Sequence, residues 1–462
     1  MAICGTGMGA LAGMLASSGY RVSGSDDQIY PPMSTQLQSL GIELKLGYRP
    51  ENLEPCPDLV IVGNAISRSH PEAQAMLAQG LPHLSFPQAL YQFYLVDRHP
   101  IVITGTHGKT TTSALTAWLL EAGEKDPGFM VGGILVNYGH NYKVGSGPTF
   151  VVEGDEYDSA FFDKGPKFLH YAPQTAILTS VEYDHADIYP SLEAVVEAFR
   201  QFVALLPEAG LLLACGDDPI VRQLTREARC RVQTYGLDPS HFWSAREIRF
   251  DEMGTHFLLC REGEAVGWLH SPLWGAHNLR NTLAAIGTVL SQQVDLKAVC
   301  GGLERFRGVR KRQEIKGEVG SILVLDDFAH HPTAVRETLR AARGRFPGRR
   351  LWAAFEPRTN TSRRKVFQEA YAQAFDTADR VVVAPVNNPQ KVPPEERFSP
   401  EQLAEDLRGR GKEAHYFPEI QAMIDYLSQE LCSGDVVLAM SNGDFEGFHG
   451  RLLARLREIH RP

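Results

Sequence analysis

The stretch Ile101-Val102-Ile103-Thr104-Gly105-Thr106-His107-Gly108-Lys109-Thr110-Thr111-Thr112 decides how the rest of the chain is read. Its aliphatic, β-branched opening predicts a buried strand, its glycines a tight loop, and Leu115, Leu119 and Leu120 an amphipathic helix beyond. A glycine-bearing loop at a helix N-terminus aims consecutive backbone N–H groups at an anion. Lys109 adds a point charge and Thr110 a hydroxyl suited to Mg²⁺, so the loop reads as a polyphosphate cradle. It is shorter than the usual G-x-x-x-x-G-K-[ST] loop, because Ile103 stands where the leading glycine would be.

A Mg²⁺–polyphosphate site needs oxygen ligands at neighbouring strand ends. Phe150-Val151-Val152 reads as a strand that ends in Glu153-Gly154-Asp155-Glu156. Ala176-Ile177-Leu178-Thr179 reads as the next, and it runs into Glu182-Tyr183-Asp184-His185-Ala186-Asp187. Single acids in loops are ordinarily just solvated; two clusters at successive strand ends beside a phosphate loop point to metal. Gly275-Ala276-His277-Asn278-Leu279-Arg280-Asn281 precedes an alanine-rich helix. Its asparagines can cap that helix or read the edge of a purine.

Working towards the N-terminus, Gly5-Thr6-Gly7-Met8-Gly9 stands before a helix expected over about 10–18 and is followed by a strand, Arg21-Val22-Ser23, that leads to Ser25-Asp26. This GxGxG is an incomplete dinucleotide fingerprint, equally consistent with a tight turn capped by Asp26. The first strand is almost absent, since only Met1 and Ala2 precede Ile3, which points to a start upstream of Met1. Towards the C-terminus, Leu323-Val324-Leu325 ends in Asp326-Asp327-Phe328-Ala329-His330-His331-Pro332, with a helix expected over about 333–343. Adjacent histidines diverge and no HExxH accompanies them, so zinc is the weaker reading of that pair. Loops after later strands, Glu356-Pro357-Arg358-Thr359-Asn360 and Ser441-Asn442-Gly443-Asp444, lie where a ligand would enter.

Strands and amphipathic helices alternate throughout, which is the α/β signature. Breaks near Asp97-Arg98-His99-Pro100 and Arg307-Gly308-Val309-Arg310 divide the chain into three expected domains. They are a Rossmann-like domain over 1–98, a central P-loop ATPase-like domain over 99–308 and a doubly wound, Rossmann-like domain over 309–462. With 46 Lys plus Arg against 55 Asp plus Glu, the net charge of −9 argues against nucleic acid or an anionic membrane as partner. The seven cysteines form no CxxC pair, which fits reduced thiols and a cytoplasmic protein. No apolar run is long enough to span a bilayer, and the oligomeric state is left open.

The string from Gly105 to Thr111 resembles the ATP loop of the Mur ligases. The resemblance continues in order through Glu153 with Asp155-Glu156, Asp184-His185, His277-Asn278-x-x-Asn281, Arg312 before Gln313-Glu314, and Asp327 with His330, so it covers essentially the whole chain. Gly24-Ser25-Asp26 resembles the UDP-N-acetylmuramate-binding branch of that family, as does the opening GxGxG; Tyr30-Pro31-Pro32-Met33-Ser34-Thr35 and Glu356-Pro357-Arg358-Thr359-Asn360-Thr361 carry the likeness further. The resemblance implies an ATP-dependent, ADP-forming amide ligase with Mg²⁺ as cofactor. It would activate the lactyl carboxylate of UDP-N-acetylmuramate as an acyl-phosphate. The amine implied is the tripeptide L-alanyl-γ-D-glutamyl-meso-diaminopimelate of murein recycling, with free L-alanine as the alternative. A dehydrogenase would have no use for Gly108-Lys109-Thr110, and a nucleotide switch no use for the acid clusters.

By the same resemblance, Lys109, Glu153 and His185 carry the catalysis, with Thr110, Glu153 and His185 as metal ligands. Gly105, Thr106, His107, Gly108, Lys109, Thr110, Thr111, His277, Asn278 and Asn281 would hold ATP, while Arg312, Asp327 and His330 close over it. Gly5, Gly7, Met8, Gly9, Ser25, Asp26 and Asn64 would face the UDP-sugar, and Arg358, Asn360 and Asn442 the peptide. Some Mur ligases carry a carbamylated lysine downstream of the metal-binding histidine. The corresponding stretch here, Ala198-Phe199-Arg200-Gln201-Phe202, contains arginine, so no carbamate is expected.

Overall fold

A computed structural model describes residues 1–29 and 33–460. The Tyr30-Pro31-Pro32 part of the family resemblance lies outside these residues. Near the N-terminus, β1 (Ser23–Asp26) pairs in parallel with β2 (Glu43–Leu46), and β3 (Val60–Val62) pairs in parallel with β4 (His83–Ser85). The Met1–Ile3 segment lies between the two pairs, with Ala2 in the left-handed region at φ +60°. The Ile3 N–H donates to Ser25 O (3.1 Å), and the Gly63 N–H donates to Met1 O (3.1 Å). The abbreviated first strand therefore still occupies the middle of a Rossmann-like half, although too few of its residues pair to count as a strand. The first helix spans Thr6–Ser17, earlier than expected, so Gly7 and Gly9 sit inside its first turns. A Cβ at Gly9 would lie 2.3 Å from Met33 Sδ, so that position serves packing of the helix against the next one.

The central sheet has ten strands. They are β5 (His99–Thr104), β6 (Gly128–Met130), β7 (Tyr142–Lys143), β8 (Thr149–Gly154), β11 (Thr175–Leu178), β12 (Leu211–Cys215), β13 (Arg231–Gly236), β14 (Trp243–Asp251), β15 (Gly254–Arg261) and β16 (Glu264–Ser271), with a small hairpin of β9 (Asp158–Ala160) and β10 (Asp163–Pro166) outside it. The order is β16-β15-β14-β13-β12-β11-β5-β8-β6-β7, parallel through the middle and antiparallel at both edges. The middle strands read as unbroken aliphatic runs because both faces are covered; Ile101, Val102, Ile103 and Ala176, Ile177, Leu178 are all fully buried. Parallel order brings the C-terminal ends of β5, β8 and β11 side by side, with β5 in the middle. That edge carries the phosphate loop and both acid clusters.

The third sheet contains β17 (Glu314–Val319), β18 (Ile322–Asp327), β19 (Leu351–Phe355), β20 (Arg380–Val383), β21 (Glu413–Tyr416) and β22 (Val436–Met440), in the order β17-β18-β22-β19-β20-β21. All pairs are parallel except β17–β18. Leu323, Leu325, Ala353 and Phe355 enter one hydrophobic core, and Ile322, Val324, Trp352 and Ala354 the other. This alternation is what a sheet with helices on both faces requires. Among the described residues, no helix is long and apolar enough to cross a membrane.

Candidate active site

The phosphate loop is built on two strained glycines. Gly105 has φ +124°, and a Cβ there would lie 2.2 Å from Thr179 Oγ1 and 2.8 Å from the Ser180 amide nitrogen. Gly108 has φ +81° and supports the Asn281 side chain, whose Oδ1 would be 2.5 Å from an added Cβ. Polar contacts with the end of β11 pin the loop from outside. Thr179 Oγ1 lies 2.6 Å from His107 O, the His107 N–H donates to Ser180 Oγ (3.1 Å), and the Glu182 N–H donates to Thr106 Oγ1 (2.9 Å). The helix Lys109–Ala122 starts at the end of this loop, with Thr110 and Thr111 in its first turn.

Lys109 Nζ donates to Gly105 O (2.6 Å) and to both oxygens of Glu156 (2.9 and 3.2 Å). Burial opposes the lysine charge, but Glu156 and Asp155 outweigh it and hold the pKa above the ordinary lysine value. Glu153, at the end of β8, accepts from the Gly132 N–H (2.6 Å) and from Thr110 Oγ1 (3.2 Å). Burial, reinforced by the charge of Asp155, pushes its carboxyl up to about 7. A buried carboxylate beside a hydroxyl at the mouth of a phosphate loop is a hard-oxygen pair of the kind Mg²⁺ takes. The Glu153 carboxylate and the Thr110 hydroxyl, 3.2 Å apart, fit such an ion.

His185 sits in the left-handed region at φ +53°, which turns its ring towards Glu156; Nε2 is 3.5 Å from Glu156 Oε1. Burial lowers its pKa and Glu156 more than offsets that, leaving it raised. Glu156, unassigned from sequence, thus lies between Lys109 and His185. The arginine of the 198–202 stretch is remote from this contact: Arg200 Nε pairs with Glu227 at 2.9 Å on the outer side of its helix. No lysine stands in that stretch to be carbamylated.

The His277-Asn278-Leu279-Arg280-Asn281 motif forms the first turns of the helix Ala276–Ser291 rather than a loop before it. Asn281 Nδ2 donates to Asn278 Oδ1 (3.1 Å), and Asn278 Nδ2 donates to Trp274 O (3.0 Å) and Gln313 Oε1 (3.1 Å). Burial pushes His277 down to about 4, and its Nδ1 has no hydrogen-bond partner among the described residues.

The third domain touches this edge directly. Arg312 Nη2 donates to Thr110 Oγ1 (3.1 Å), and its guanidinium stacks 4.8 Å from the Phe328 ring centroid. Asp327 is buried and receives the N–H groups of Gln313 and Ala329 (2.8 Å each), so it shapes the segment bearing Arg312. The neighbouring histidines diverge: His330 Nδ1 lies 3.0 Å from Phe328 O, while His331 turns to the central domain, with Nε2 3.2 Å from Tyr183 O. Thr361 Oγ1 donates to Asp184 Oδ1 and Asn360 Nδ2 to Asp187 Oδ2, both at 2.7 Å, on either side of His185.

Of the residues expected to face the peptide, Arg358 lies over Gly443, 3.6 Å from Glu356, and Asn442 Oδ1 is buried without a partner among the described residues. Sequence reading missed Arg363. It is 6% exposed, donates to Asn387 O (2.7 Å) and Asn360 Oδ1 (3.0 Å), and has no carboxylate partner among the described residues. Nothing local in Ser362-Arg363-Arg364 distinguishes the buried arginine from its half-buried neighbour.

At the N-terminal domain, the Asp26 carboxylate receives the Cys4 N–H (2.8 Å) and the Gln28 N–H (3.1 Å). Gly5 precedes the helix; the close fit of Gly63 against Ala2 and Met8 brings exposed Asn64 beside this turn. Ser25 is not brought to that face: its hydroxyl is turned inward, donating to buried Glu72 at 2.9 Å.

Three family models match the chain: the Mur ligase family catalytic domain over 1–96, the Mur ligase middle domain over 103–289, and the Mur ligase glutamate ligase domain over 311–443. The UDP-N-acetylmuramate–L-alanyl-γ-D-glutamyl-meso-2,6-diaminoheptandioate ligase of Escherichia coli is 39% identical over 454 residues, covering 98% of this chain and 96% of that protein. A murein peptide ligase from Psychrobacter arcticus superposes with a TM-score of 0.74 at 34% identity, covering 98% and 97% of the two chains. A UDP-N-acetylmuramate–alanine ligase from Thermotoga maritima gives a TM-score of 0.81 at 26% identity, covering 99% and 98%.

Proposed function

This chain belongs to the Mur ligase family, and we infer that it joins L-alanyl-γ-D-glutamyl-meso-diaminopimelate to the lactyl carboxylate of UDP-N-acetylmuramate, with ATP converted to ADP and phosphate. The observation that carries this reading is the 39% identity, end to end, to the Escherichia coli ligase named for that tripeptide. The alanine ligase from Thermotoga maritima has the higher TM-score but only 26% identity. A TM-score over a three-domain chain responds to how the domains are set, whereas an amine is read by side chains, so identity weighs more here. The working compartment that ATP and a nucleotide sugar imply is the cytoplasm.

The roles follow from the geometry. The backbone amides of the loop and Lys109 would hold the phosphates, and Thr110 with Glu153 would hold Mg²⁺. Bound there, Mg²⁺ supplies Lewis-acid stabilisation of charge on the phosphoryl oxygens. The carboxylate oxygen attacks the terminal phosphorus as the bond to ADP breaks; the peptide amine then attacks the acyl carbon, loses a proton, and phosphate leaves. Lys109, already held between Gly105 and Glu156, would exchange Glu156 for phosphoryl oxygen as charge develops there. Asn278 and Asn281 would present the donor–acceptor edge for adenine. An acyl-phosphate must be kept from water, and the contacts of Arg312, Thr361 and Asn360 with the central domain would close the site over it.

Arg363 and Arg358, with buried Glu356 beside them, place two guanidinium groups on the loop that docks beside His185. Burial holds the Glu356 carboxyl above its ordinary value, and a single carboxylate cannot balance two guanidinium groups. A buried guanidinium calls for an anion, and the tripeptide brings carboxylates beyond its reacting amine. The test of the reaction class is phosphate release under omission: ATP, UDP-N-acetylmuramate and the peptide together should turn over, and leaving out either the nucleotide sugar or the amine should reduce release to background. Release that continues without an amine would make the chain a nucleotide hydrolase instead.

A further inference from the structure

The His331 side chain is not absorbed by this mechanism, and its surroundings are unusual for a hydrogen-bond cluster. Glu182 Oε2 lies 3.4 Å from His107 Nε2 and 3.6 Å from His331 Nδ1. The ligand atoms of the three residues all lie within 4.8 Å of one another. His107 and Glu182 belong to the phosphate loop and the end of β11; His331 comes from the third domain, just before the helix Pro332–Arg345.

The proton on His331 can be placed. Its Nε2 is 3.2 Å from Tyr183 O, and a carbonyl only accepts, so Nε2 carries the hydrogen. Nδ1 then holds the ring's one lone pair, which accepts the Thr333 N–H at a long 3.3 Å and lies 3.6 Å from the Glu182 carboxylate. Burial pushes the His331 pKa down to about 4, which keeps the ring neutral. Burial works against the Glu182 charge, but His107 and the Thr333 hydroxyl, which donates at 2.7 Å, bring its carboxyl down to about 2. Two acceptor atoms, Glu182 Oε2 and His331 Nδ1, therefore sit 3.6 Å apart, and a cation that displaced the long Thr333 N–H contact would bind both together with His107.

We propose that His107, Glu182 and His331 form a His₂Glu site for a divalent transition-metal ion, of the Zn²⁺ class, that joins the third domain to the phosphate loop in the nucleotide-free protein. Zinc bonds of about 2.0–2.2 Å in tetrahedral geometry set neighbouring ligand atoms roughly 3.3–3.6 Å apart, a range that includes both short edges here, 3.4 and 3.6 Å. The outer contacts are also of the right kind: His331 donates its other N–H to a backbone carbonyl, and Glu182 is held by Thr333. Two imidazoles select Zn²⁺, Co²⁺ or Ni²⁺ over Mg²⁺, which separates this site from the hard-oxygen pair Thr110–Glu153. Three protein ligands leave one position for water.

The experiment is a Co²⁺ titration of the full-length, nucleotide-free protein, followed by the visible absorption of four-coordinate cobalt. One equivalent should give a saturable band. His331→Asn, which keeps a helix-capping acceptor, and Glu182→Gln should each weaken binding at least tenfold. Glu153→Gln should leave the band in place. Zn²⁺ should raise the melting temperature of the unmodified protein and leave that of His331→Asn unchanged. Should one of the two variants not fold, the other decides. Absence of the band, or a band that survives both His331→Asn and Glu182→Gln, would overturn the assignment.

Discussion

Lys109→Met is expected to lower kcat for phosphate release by about a thousandfold or more, the scale seen when a fixed cation is removed from a transferring phosphoryl group. The same change should also destabilise the fold, for a separate reason. Glu156 is 3% exposed on its side chain and Lys109 is its nearest cation, so the variant leaves a buried carboxylate short of its partner. Breaking a buried pair from one side costs about 3–5 kcal/mol. The two effects separate in the double variant Lys109→Met/Glu156→Gln, where no unpaired charge remains. Its melting temperature should recover most of the loss while kcat stays down. Recovery of kcat along with stability would mean that Lys109 matters only as the counter-ion of Glu156.

The second large effect is expected at Arg363. Arg363→Met should raise KM for the tripeptide by about 10- to 150-fold, the equivalent of about 1.5–3 kcal/mol for a hydrogen bond to a charged group. KM for ATP and for UDP-N-acetylmuramate should change little. Because Arg363 also holds Asn387 O and Asn360, a purely structural role has to be told apart. A peptide whose carboxylates are converted to carboxamides does this. If Arg363 binds a carboxylate, the amidated peptide is poor with the unmodified protein and no poorer with the variant. An equal additional penalty with the amidated peptide would assign Arg363 to loop architecture, and a rise in KM for the nucleotide sugar instead would move its anion to the diphosphate.

What could be read in advance follows the range of the interactions. The phosphate loop needs residues adjacent in sequence, and both acid clusters sit directly after unbroken aliphatic strands, so parallel pairing alone places them together. The contacts that complete the site were not legible. Thr361 on Asp184 and His331 on Tyr183 join residues 177 and 148 positions apart, and no local pattern encodes which polar side chain of a loop will meet another domain. The family resemblance of Gly24-Ser25-Asp26 places Ser25 at the UDP-sugar; the alternation of the strand instead sends its hydroxyl inward to Glu72. The edge strand β17 was missed because Glu314–Val319 is largely polar and charged, with one side open to solvent. Met1–Ile3 was read as a truncated strand, and it lies between β1 and β3 through one backbone hydrogen bond to Ser25 and two with Ile61 and Gly63.

The central claim concerns the amine, and one competition measures it directly: ATP and UDP-N-acetylmuramate with equal concentrations of the tripeptide and free L-alanine, the products resolved by mass. The account predicts UDP-N-acetylmuramoyl-tripeptide as the dominant product from the start of the reaction. Dominant UDP-N-acetylmuramoyl-L-alanine would contradict it, leaving the fold and the phosphate site as described and assigning the chain to the addition of the first amino acid.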